Sequence, residues 1–410
     1  MDSTLNLTDK LEAQLSKDII SALVLCSKTA FEAEYKIFLI GGVVRDLILN
    51  RKVADIDVTV EGDALKFCHI LADKKHCKIL QVQNDLKTVK ACFKNNVIID
   101  FASTRQEFYP RRGHLPVVVR IGCTLEEDVY RRDFTINALA MSLNENNYGD
   151  VIDYTGGVKD IENKKLRVLH DNSFNEDPSR IIRALKFAAR LNFHRDEHTK
   201  ELQQKYLTTQ MHDDISWSRI KSELKQTFSL NIPRAYDMFL ANDTYKLIYG
   251  EKPDIKGLEI KTLADKYSPD YTWLVYLGTV LSNQKIIEAF CFTRAEKKIF
   301  TDKEFLLNNN KLNLHSSNYE IYKFFEKRSV EAVMIYYLLT KRKEPLIYLE
   351  KLMKIRVELN GDDLKNMGIL EGKKIGAMLD EILKKKLSGQ IITKSDEERF
   401  VKQQIKKVIL

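Results

Sequence analysis

Residues 40–57 read Ile-Gly-Gly-Val-Val-Arg-Asp-Leu-Ile-Leu-Asn-Arg-Lys-Val-Ala-Asp-Ile-Asp and carry the strongest signal in the chain. An apolar run ends in Gly41-Gly42, an amphipathic turn follows, and Asp55 and Asp57 then lie two residues apart. If residues 55–60 form a strand, its period of two places both carboxylates on one face of a sheet. The pattern therefore predicts a strand, a glycine-led helix and a second strand that carries paired carboxylates.

These features suit the chemistry of nucleotides. Two carboxylates on one face form a hard oxygen site, which Mg²⁺ prefers when it also holds phosphates. A glycine pair before a helix lets phosphate oxygens approach backbone N–H groups at the positive end of the helix dipole. Alone, a glycine pair is usually a turn, and Asp55-x-Asp57 can be an Asx-turn pair. Their joint spacing indicates nucleotidyl transfer, with Asp55 and Asp57 as the metal ligands.

Further motifs follow downstream in a fixed order. The first motif is Gly41-Gly42-x-x-Arg45-Asp46. The next three are Arg131-Arg132-Asp133-Phe-Thr-Ile-Asn137, Asp153-Tyr-x-Gly156-Gly157-x-x-Asp160 and Glu176-Asp177-x-x-Arg180-x-x-Arg183. The set resembles the motifs of class II tRNA nucleotidyltransferases and bacterial poly(A) polymerases. The resemblance covers residues 35–235 and returns near the C-terminus.

The resemblance implies an α+β fold, in which a small mixed-sheet, polymerase-β-like nucleotidyltransferase head precedes an all-helical neck, body and tail. The residues agree, because β-rich runs alternate with helical ones up to residue 155 and long apolar-periodic segments follow from 176. Strand candidates are 37–40, 55–60, 78–82, 88–93, 96–101 and 150–154. The expected domains are a head with an N-terminal helix at 1–160, a neck with the base-reading helix at 161–235, a body at 236–343 and a basic tRNA-binding tail at 344–410.

Asp100, near the end of the strand at 97–101, is the candidate for a third catalytic carboxylate beside Asp55 and Asp57. An edge-of-strand surface aspartate is the alternative. In two-metal catalysis, one Mg²⁺ lowers the pKa of the attacking 3′-hydroxyl and the other neutralises the triphosphate and the leaving pyrophosphate. The expected cofactor is therefore Mg²⁺.

The resemblance also implies the nucleotide-binding residues. Gly42 and Arg45 are expected to contact the phosphates and sugar of the nucleotide. Arg132, Asp133 and Asn137 are expected to line the wall beside the ribose. The base is expected to be bound by Asp177, Arg180 and Arg183. A guanidinium suits phosphate binding because its planar fork can bind two phosphate oxygens at once. A capped helix with internal ion pairs is the alternative at 176–183.

Base choice needs no nucleic-acid template in this scheme. Cytosine and adenine share an exocyclic amino donor beside a ring-nitrogen acceptor, which uracil and guanine lack. The Asp177 carboxylate can accept from the amino group and Arg180 can donate to the ring nitrogen.

Some segments depart from the family pattern or serve other roles. Lys186 stands where many relatives have another arginine, and residues 84–88 lack the glycine of a Phe-Gly-Thr-like turn. Residues 104–116 resemble the family's mobile loop at full length, which argues against an enzyme that adds only CC. The helix at 217–224 is expected to be architectural. The pair His212-Asp213 has no partner histidines nearby and does not predict a phosphohydrolase site.

Composition supports a soluble enzyme that contacts RNA. The 410 residues suggest two to four domains, and 44% hydrophobic with 30% charged residues is typical of a globular protein. The sequence predicts no transmembrane helix and no secretory signal, and its six scattered cysteines suit reduced thiols in the cytoplasm without a zinc site. Residues 341–410 hold 17 Lys and Arg against 11 Asp and Glu, which suits contact with a phosphate backbone, although a solvated helix face is the alternative. The segment 360–376 is similar to the C-terminal tail of bacterial members of the family, and this resemblance makes Lys373 and Lys374 candidate tRNA contacts.

Together these observations predict an enzyme that uses CTP and ATP to build or repair the 3′-terminal CCA of tRNA, as a monomer or homodimer without a membrane partner. One alternative is an A-adding enzyme that works beside a separate CC-adding enzyme. Another is a bacterial poly(A) polymerase, disfavoured by the absence of its Gly-Arg-Arg-Phe pattern. A catalytically dead RNA-binding homologue would lack the carboxylates that Asp55 and Asp57 provide.

Overall fold

The computed structural model describes residues 5–111, 113–209, 215–309, 311–313 and 315–409, so His212 and Asp213 lie outside the described residues. The strands within these ranges are β1 Lys36–Ile40, β2 Asp57–Glu61, β3 Cys77–Gln83, β4 Thr88–Phe93, β5 Ile98–Ser103, β6 Arg105–Phe108, β7 Val117–Ile121, β8 Ala140–Ser142, β9 Val151–Ile152, β10 Lys165–Leu166 and β11 His194–Arg195.

Helices surround and follow these strands. Up to residue 229 they are α1 Thr8–Gln14, α2 Lys17–Glu32, α3 Gly42–Ile48, α4 Ala64–Asp73, α5 Leu125–Tyr130, α6 Gly157–Glu162, α7 Ser173–Glu176, α8 Ser179–Leu191, α9 Glu197–Thr208 and α10 Trp217–Ser229, with 3₁₀ turns at Lys94–Asn96, Thr135–Asn137 and Glu145–Asn147. Beyond it they are α11 Pro233–Ala241, α12 Gly257–Tyr267, α13 Thr272–Gly278, α14 Gln284–Ala289, α15 Arg294–Asn308, α16 Asn318–Phe325, α17 Val330–Thr340, α18 Glu344–Ile347, α19 Gly361–Asn366, α20 Gly372–Leu387 and α21 Lys394–Ile409, with a 3₁₀ turn at Thr244–Ile248 and a π-helical turn at Tyr348–Leu352.

The chain forms two compact units, one of residues 1–227 and 238–248 and the other of residues 228–237 and 249–410. The first contains the strands, whereas the described part of the second is helical, which confirms the α+β fold class. In the second unit, the apolar helix α17 is buried along residues 332–336 and packs against α13 and α15. The finer division into four domains stays a prediction. Within the described ranges, no helix is both long and apolar enough to cross a bilayer.

A seven-stranded mixed sheet forms the core of the first unit, in the order β3-β4-β5-β2-β1-β8-β9. The pair β2 and β5 is parallel and the other neighbours are antiparallel. Strand β4 alternates, with Val89, Ala91 and Phe93 buried, because that face packs on α4 while the other lines a cavity. Phe101 of β5 lies between the rings of Phe67 and Phe93 on the packed face.

The strand expected at 55–60 begins later, at Asp57. Asp55 precedes the strand, so the period of two does not fix the direction of its side chain. Strand β8 escaped prediction because its three residues are all buried and show no alternation. The N-terminal helix is divided at Leu15, and Ser16 caps the second segment by accepting from the backbone N–H of Ile19 at 3.4 Å.

The third motif builds structure around α6. The Asp153 carboxylate accepts four backbone N–H groups at the start of this helix, from residues 155, 156, 157 and 158 at 2.8 to 3.1 Å. Gly157 is required because a Cβ there would lie 2.4 Å from the carbonyl oxygen of Thr135. Asp160 accepts a hydrogen bond from the hydroxyl of Thr135 at 2.7 Å. This motif therefore fastens α6 to the turn that carries Asn137.

We expect Asp153→Ala to lower the free energy of unfolding by about 2 to 4 kcal/mol, because four N–H groups at the helix start lose their acceptor. Urea unfolding followed by circular dichroism measures the change. Asp153→Asn keeps the oxygen that serves three of the four groups and should lose about half as much. An alanine variant as stable as the wild type would contradict this role.

Candidate active site

One cavity in the first unit, with a volume of about 850 Å³, gathers all the residues that the sequence assigned to catalysis or nucleotide binding. Its lining includes Gly42, Arg45, Asp55, Asp57, Asp100, Arg132, Asp133, Asn137, Asp177, Arg180 and Arg183. Lys373 and Lys374 lie in the second unit, on the first turn of α20.

The glycine pair shapes the floor of the cavity. Gly41 follows β1 with a φ of 74°, a conformation that favours glycine, and its N–H donates to the carbonyl of Leu139 at 2.8 Å. A Cβ at this position would lie 3.2 Å from the carbonyl oxygen of Asn137. Gly42 then begins α3 beside the carboxylates. The strand, sharp turn and helix predicted here are confirmed.

Asp57 and Asp100 are register partners in the parallel pair of β2 and β5. Burial, the negative charge of Asp100 and, more weakly, that of Asp55 raise the pKa of Asp57 to about 6, against the opposing charge of Arg132. Asp100 accepts from Lys90 Nζ at 2.9 Å. By contrast, the carboxylates of Asp55 and Asp57 accept no hydrogen bond from a described residue. Negative charge is thus concentrated at one edge of the cavity with little local compensation.

This donor set fits a hard divalent cation. Carboxylate oxygens are the ligands that such ions prefer, and a cation would relieve the repulsion that raises the pKa of Asp57. Among the described residues, no group of three or more His, Cys, Asp or Glu side chains is arranged to hold a metal by itself. Remaining ligands would have to come from substrate phosphates or water, as is usual for Mg²⁺.

Arg45 of α3 is held rigidly at the cavity wall. It is 3% exposed, and its Nε donates to Asp46 Oδ1 at 2.9 Å while its Nη1 donates to Asn137 Oδ1. The guanidinium also lies 5.2 Å from the centre of the Phe187 ring. Arg45 therefore presents a positive charge in a fixed direction.

The ribose wall continues this chain of bonds. Asn137 Nδ2 donates to Asp133 Oδ1 at 3.1 Å, and Asp133 Oδ2 accepts from Arg183 Nε and Nη2 at 2.8 and 2.6 Å. Although burial favours the neutral acid, Arg183 and Asn137 hold the pKa of Asp133 below its usual range. The charge of Asp133 raises the pKa of Arg183, and Glu223 adds to this effect, whereas burial alone would lower that pKa. Both groups are therefore charged at neutral pH.

Arg132 retains donor capacity toward a ligand. Its Nη2 donates to Asp128 Oδ2 at 2.9 Å, whereas its buried Nε has no hydrogen-bond partner among the described residues. A buried donor without a partner costs free energy, so a bound anion or hydroxyl would improve its environment.

Asp177 and Arg180 line the cavity at the start of α8. Asp177 precedes the helix in extended conformation, and its Oδ1 accepts from the backbone N–H and the hydroxyl of Ser179. Arg180 donates to Ser173 Oγ at 2.8 Å and to the carbonyl of Arg131 at 2.9 Å. Ser179 thus fixes the side chain of Asp177, and Ser173 and Arg131 fix that of Arg180.

Two residues of the cavity lining were not predicted from the sequence as site residues. Arg219 and Glu223 of α10, expected to be architectural, line the cavity and bond to predicted site residues. Arg219 Nη2 donates to Asp177 Oδ2, and Glu223 Oε1 accepts from Arg183 Nη1 at 3.2 Å. The only local signal was their spacing of four residues, which places both on one helix face.

Comparison with known proteins agrees with this geometry. Residues 37–167 match the family described as the poly(A) polymerase head domain. An A-adding tRNA nucleotidyltransferase of Geobacter sulfurreducens is 29% identical over 95% of this chain and 47% of its own length. A CCA-adding enzyme of Lactobacillus johnsonii is 25% identical over 91% of this chain and 94% of its own. The Thermotoga maritima CCA-adding enzyme, solved in complex with tRNA, shares the fold with a TM-score of 0.79 at 23% identity, over 99% of this chain and 100% of that chain.

The mixed sheet, the glycine-led helix and the paired carboxylates fall in the stretch that matches the poly(A) polymerase head domain. This match and the tRNA nucleotidyltransferases among the relatives support the resemblance to class II tRNA nucleotidyltransferases that the four motifs predicted. The chain spans about half the length of some curated relatives, such as the Geobacter sulfurreducens protein, of which it covers 47%.

We expect Asp133→Asn to lower the free energy of unfolding by about 1 to 2 kcal/mol at neutral pH, because it removes the buried carboxylate that binds the half-buried Arg183 guanidinium, while Arg183 keeps its bond to Glu223. Since the folded-state pKa of Asp133 lies below the ordinary value of 3.8, its contribution is complete above that pH and is lost as the pH falls below it. The difference between wild type and variant should therefore narrow in acid.

Urea unfolding at neutral pH and at acidic pH tests this expectation. Asp85→Asn is the matched control, since Asp85 is exposed and its carboxylate accepts no hydrogen bond from a described residue. A loss of stability no larger than that of the control would show that Asp133 does not hold Arg183 in the way described.

Proposed function

We propose that this protein is a template-independent tRNA nucleotidyltransferase that uses CTP and ATP to build or repair the 3′-terminal CCA of tRNA. The observation that carries the proposal is the meeting of Asp55 and Asp57 with Asp177 and Arg180 in one cavity. Carboxylates that suit metal and phosphate thus lie beside groups that suit a base. The names of the Lactobacillus johnsonii and Thermotoga maritima enzymes support the same activity.

In this proposal Asp55 and Asp57, with Asp100 beside them, would hold Mg²⁺. When bound, the ion lowers the pKa of the tRNA 3′-hydroxyl and neutralises charge on the triphosphate. Arg45 and the backbone at Gly42 bind phosphate oxygens. The 3′-oxygen forms a bond to the α-phosphorus of the nucleotide, and pyrophosphate leaves.

The same cavity accounts for ribose and base recognition. Arg132, with its unpartnered Nε, and the Asp133–Asn137 pair face the ribose. Asp177 accepts from the amino group of cytosine or adenine, and Arg180 donates to the ring nitrogen. Uracil and guanine instead present a carbonyl to the carboxylate and an N–H to the guanidinium. Two such mismatches, at roughly 1–3 kcal/mol each, give a discrimination of about 10² to 10⁴.

A second candidate is addition of the terminal A alone. It is favoured by the names of two relatives, the A-adding enzymes of Geobacter sulfurreducens and Aquifex aeolicus, which are 29% and 32% identical to this chain. The two candidates share the chemistry above and differ in which tRNA ends they accept.

Three tRNA transcripts separate the candidates, ending at the discriminator base, after one C and after two C residues. Each is incubated with labelled CTP or labelled ATP. A CCA-adding enzyme incorporates CTP into the first two and ATP into the third. An A-adding enzyme uses only ATP, and only on the third. Long oligo(A) products would point to a poly(A) polymerase, and no incorporation would refute the proposal.

We expect Asp55→Ala and Asp57→Ala each to lower the rate of nucleotide addition by at least about 10³-fold, because each removes a metal-binding carboxylate. Affinity for tRNA, measured by filter binding, should stay within a few-fold. The control is Asp85→Ala, which removes an exposed carboxylate outside the cavity. Addition near the wild-type rate in both variants would exclude the metal assignment.

We attribute much of the affinity for tRNA to the basic tail at 344–410. Lys373 and Lys374 are exposed on the first turn of α20, where Lys374 Nζ bonds to Glu371 at 3.2 Å. We expect Lys373→Ala/Lys374→Ala to weaken tRNA binding and to reduce the slope of log K against log salt by up to about 2, since each lost phosphate contact removes about 0.9. Lys200→Ala, on the exposed face of α9, serves as control. An unchanged slope would mean that these lysines do not contact the backbone.

A further inference from the structure

Two charged side chains of α10 form hydrogen bonds with residues that are proposed to bind the nucleotide base. Arg219 and Glu223 are four residues apart and therefore share one face of the helix. Arg219 bonds to Asp177, and Glu223 bonds to Arg183. Neither contact builds α10, which is maintained by its own backbone hydrogen bonds. Both contacts act on the neighbouring helix α8 and its cap.

Arg219 completes the restraint of the Asp177 carboxylate. Ser179 occupies Oδ1 with two hydrogen bonds, and Arg219 Nη2 occupies Oδ2. Each carboxylate oxygen has two acceptor sites, so Oδ2 can still accept a base amino group while Arg219 fixes its direction. The other end of the guanidinium, Nη1, donates to the backbone carbonyl of His114 at 3.2 Å. Arg219 is therefore itself held from two sides.

Glu223 restrains Arg183 in the same manner. Asp133 binds one edge of the Arg183 guanidinium through Nε and Nη2, and Glu223 Oε1 accepts from Nη1 at 3.2 Å. The second oxygen of Glu223 accepts from Lys186 Nζ at 2.7 Å. The Glu223 side chain is only 13% exposed, so water does not readily replace it as a partner.

We propose that Arg219 and Glu223 are positioning residues that set the base selectivity of nucleotide addition by fixing Asp177 and Arg183. This inference rests on the function proposed above. A carboxylate that can turn is able to move away from the carbonyl of uracil or guanine, and so relieves the mismatch that excludes those bases. Rigidity, rather than the presence of Asp177 alone, then provides the discrimination.

The test uses Arg219→Gln and Glu223→Gln, which remove the charges with little change in size. Values of kcat/KM for ATP, CTP, GTP and UTP are measured with a tRNA that accepts addition. We expect the preference for ATP and CTP over GTP and UTP to fall at least about 10-fold, with the KM for tRNA within about two-fold of wild type. Arg219→Lys keeps the charge but loses the planar fork, and should recover only part of the preference.

Two control variants match these changes. Ser222→Ala alters an exposed residue of the same helix, and Glu201→Gln neutralises a side chain on α9 that is 77% exposed. Both should keep wild-type selectivity. If the Gln variants keep it as well, or if Ser222→Ala loses as much, the inference is wrong.

Thermal melting verifies folding, and Glu223→Asp replaces the Gln variant if that variant does not fold. The dissociation constant of GTP divided by that of ATP, measured by calorimetry on every folded variant, tests the inference without turnover. If wild type adds nothing to tRNA, the proposed function fails, whereas a binding ratio that falls in the Arg219 and Glu223 variants still supports the positioning role. A ratio that stays at the wild-type value overturns it.

Discussion

The ion pair between the buried Asp133 and the half-buried Arg183 is the interaction on which the cavity depends. Removing two charges from water is costly, and it is tolerated only where each charge has several good partners. Asp133 accepts hydrogen bonds from Arg183 and Asn137. Asn137 in turn accepts from Arg45, and Arg183 also donates to Glu223. The result is one connected chain of polar groups from α3 to α10, which fixes the helices against the sheet.

Within this network the carboxylates Asp55 and Asp57 are exceptional. The arginines of the wall are bonded to protein acceptors, whereas these two carboxylates accept nothing from a described residue. Burial and the charge of Asp100 raise the pKa of Asp57, so the ionised site is unfavourable for the protein alone and a cation would stabilise it. Under the proposed function, stability and function are thus divided between neighbouring groups: the network holds the wall in place, and the uncompensated charge would bind metal and phosphate. A rigid wall also reduces the reorganisation needed when the nucleotide binds.

Local patterns in the sequence predicted the parts of the site that depend on local structure. The buried run of β1, the glycine turn and the alternation of β4 each follow from the period or conformation of a few residues. The start of β2 at Asp57, rather than Asp55, could not be read this way, because pairing with β5 decides where a strand begins. Likewise, Arg219 and Glu223 resemble any exposed charged pair on a helix. Their contacts are visible only when the fold brings α10 beside α8, since ion pairs across 40 and 42 residues leave no periodic signal.

The reading of a base without a template, as proposed above, would set a demand on this arrangement. A template strand would supply a donor and acceptor pattern that changes with each step, whereas a protein side chain offers one pattern and must hold it in place. Asp177 is held by Ser179 and Arg219, and Arg219 in turn bonds to His114 beside the β6–β7 hairpin. The hairpin backbone at Gly113 is also bonded to Glu176 at 2.9 Å. Residues 113 and 114, in the loop between β6 and β7, are thus bonded both to Arg219 and to the residue that precedes Asp177, so the loop, Arg219 and Asp177 form one bonded group.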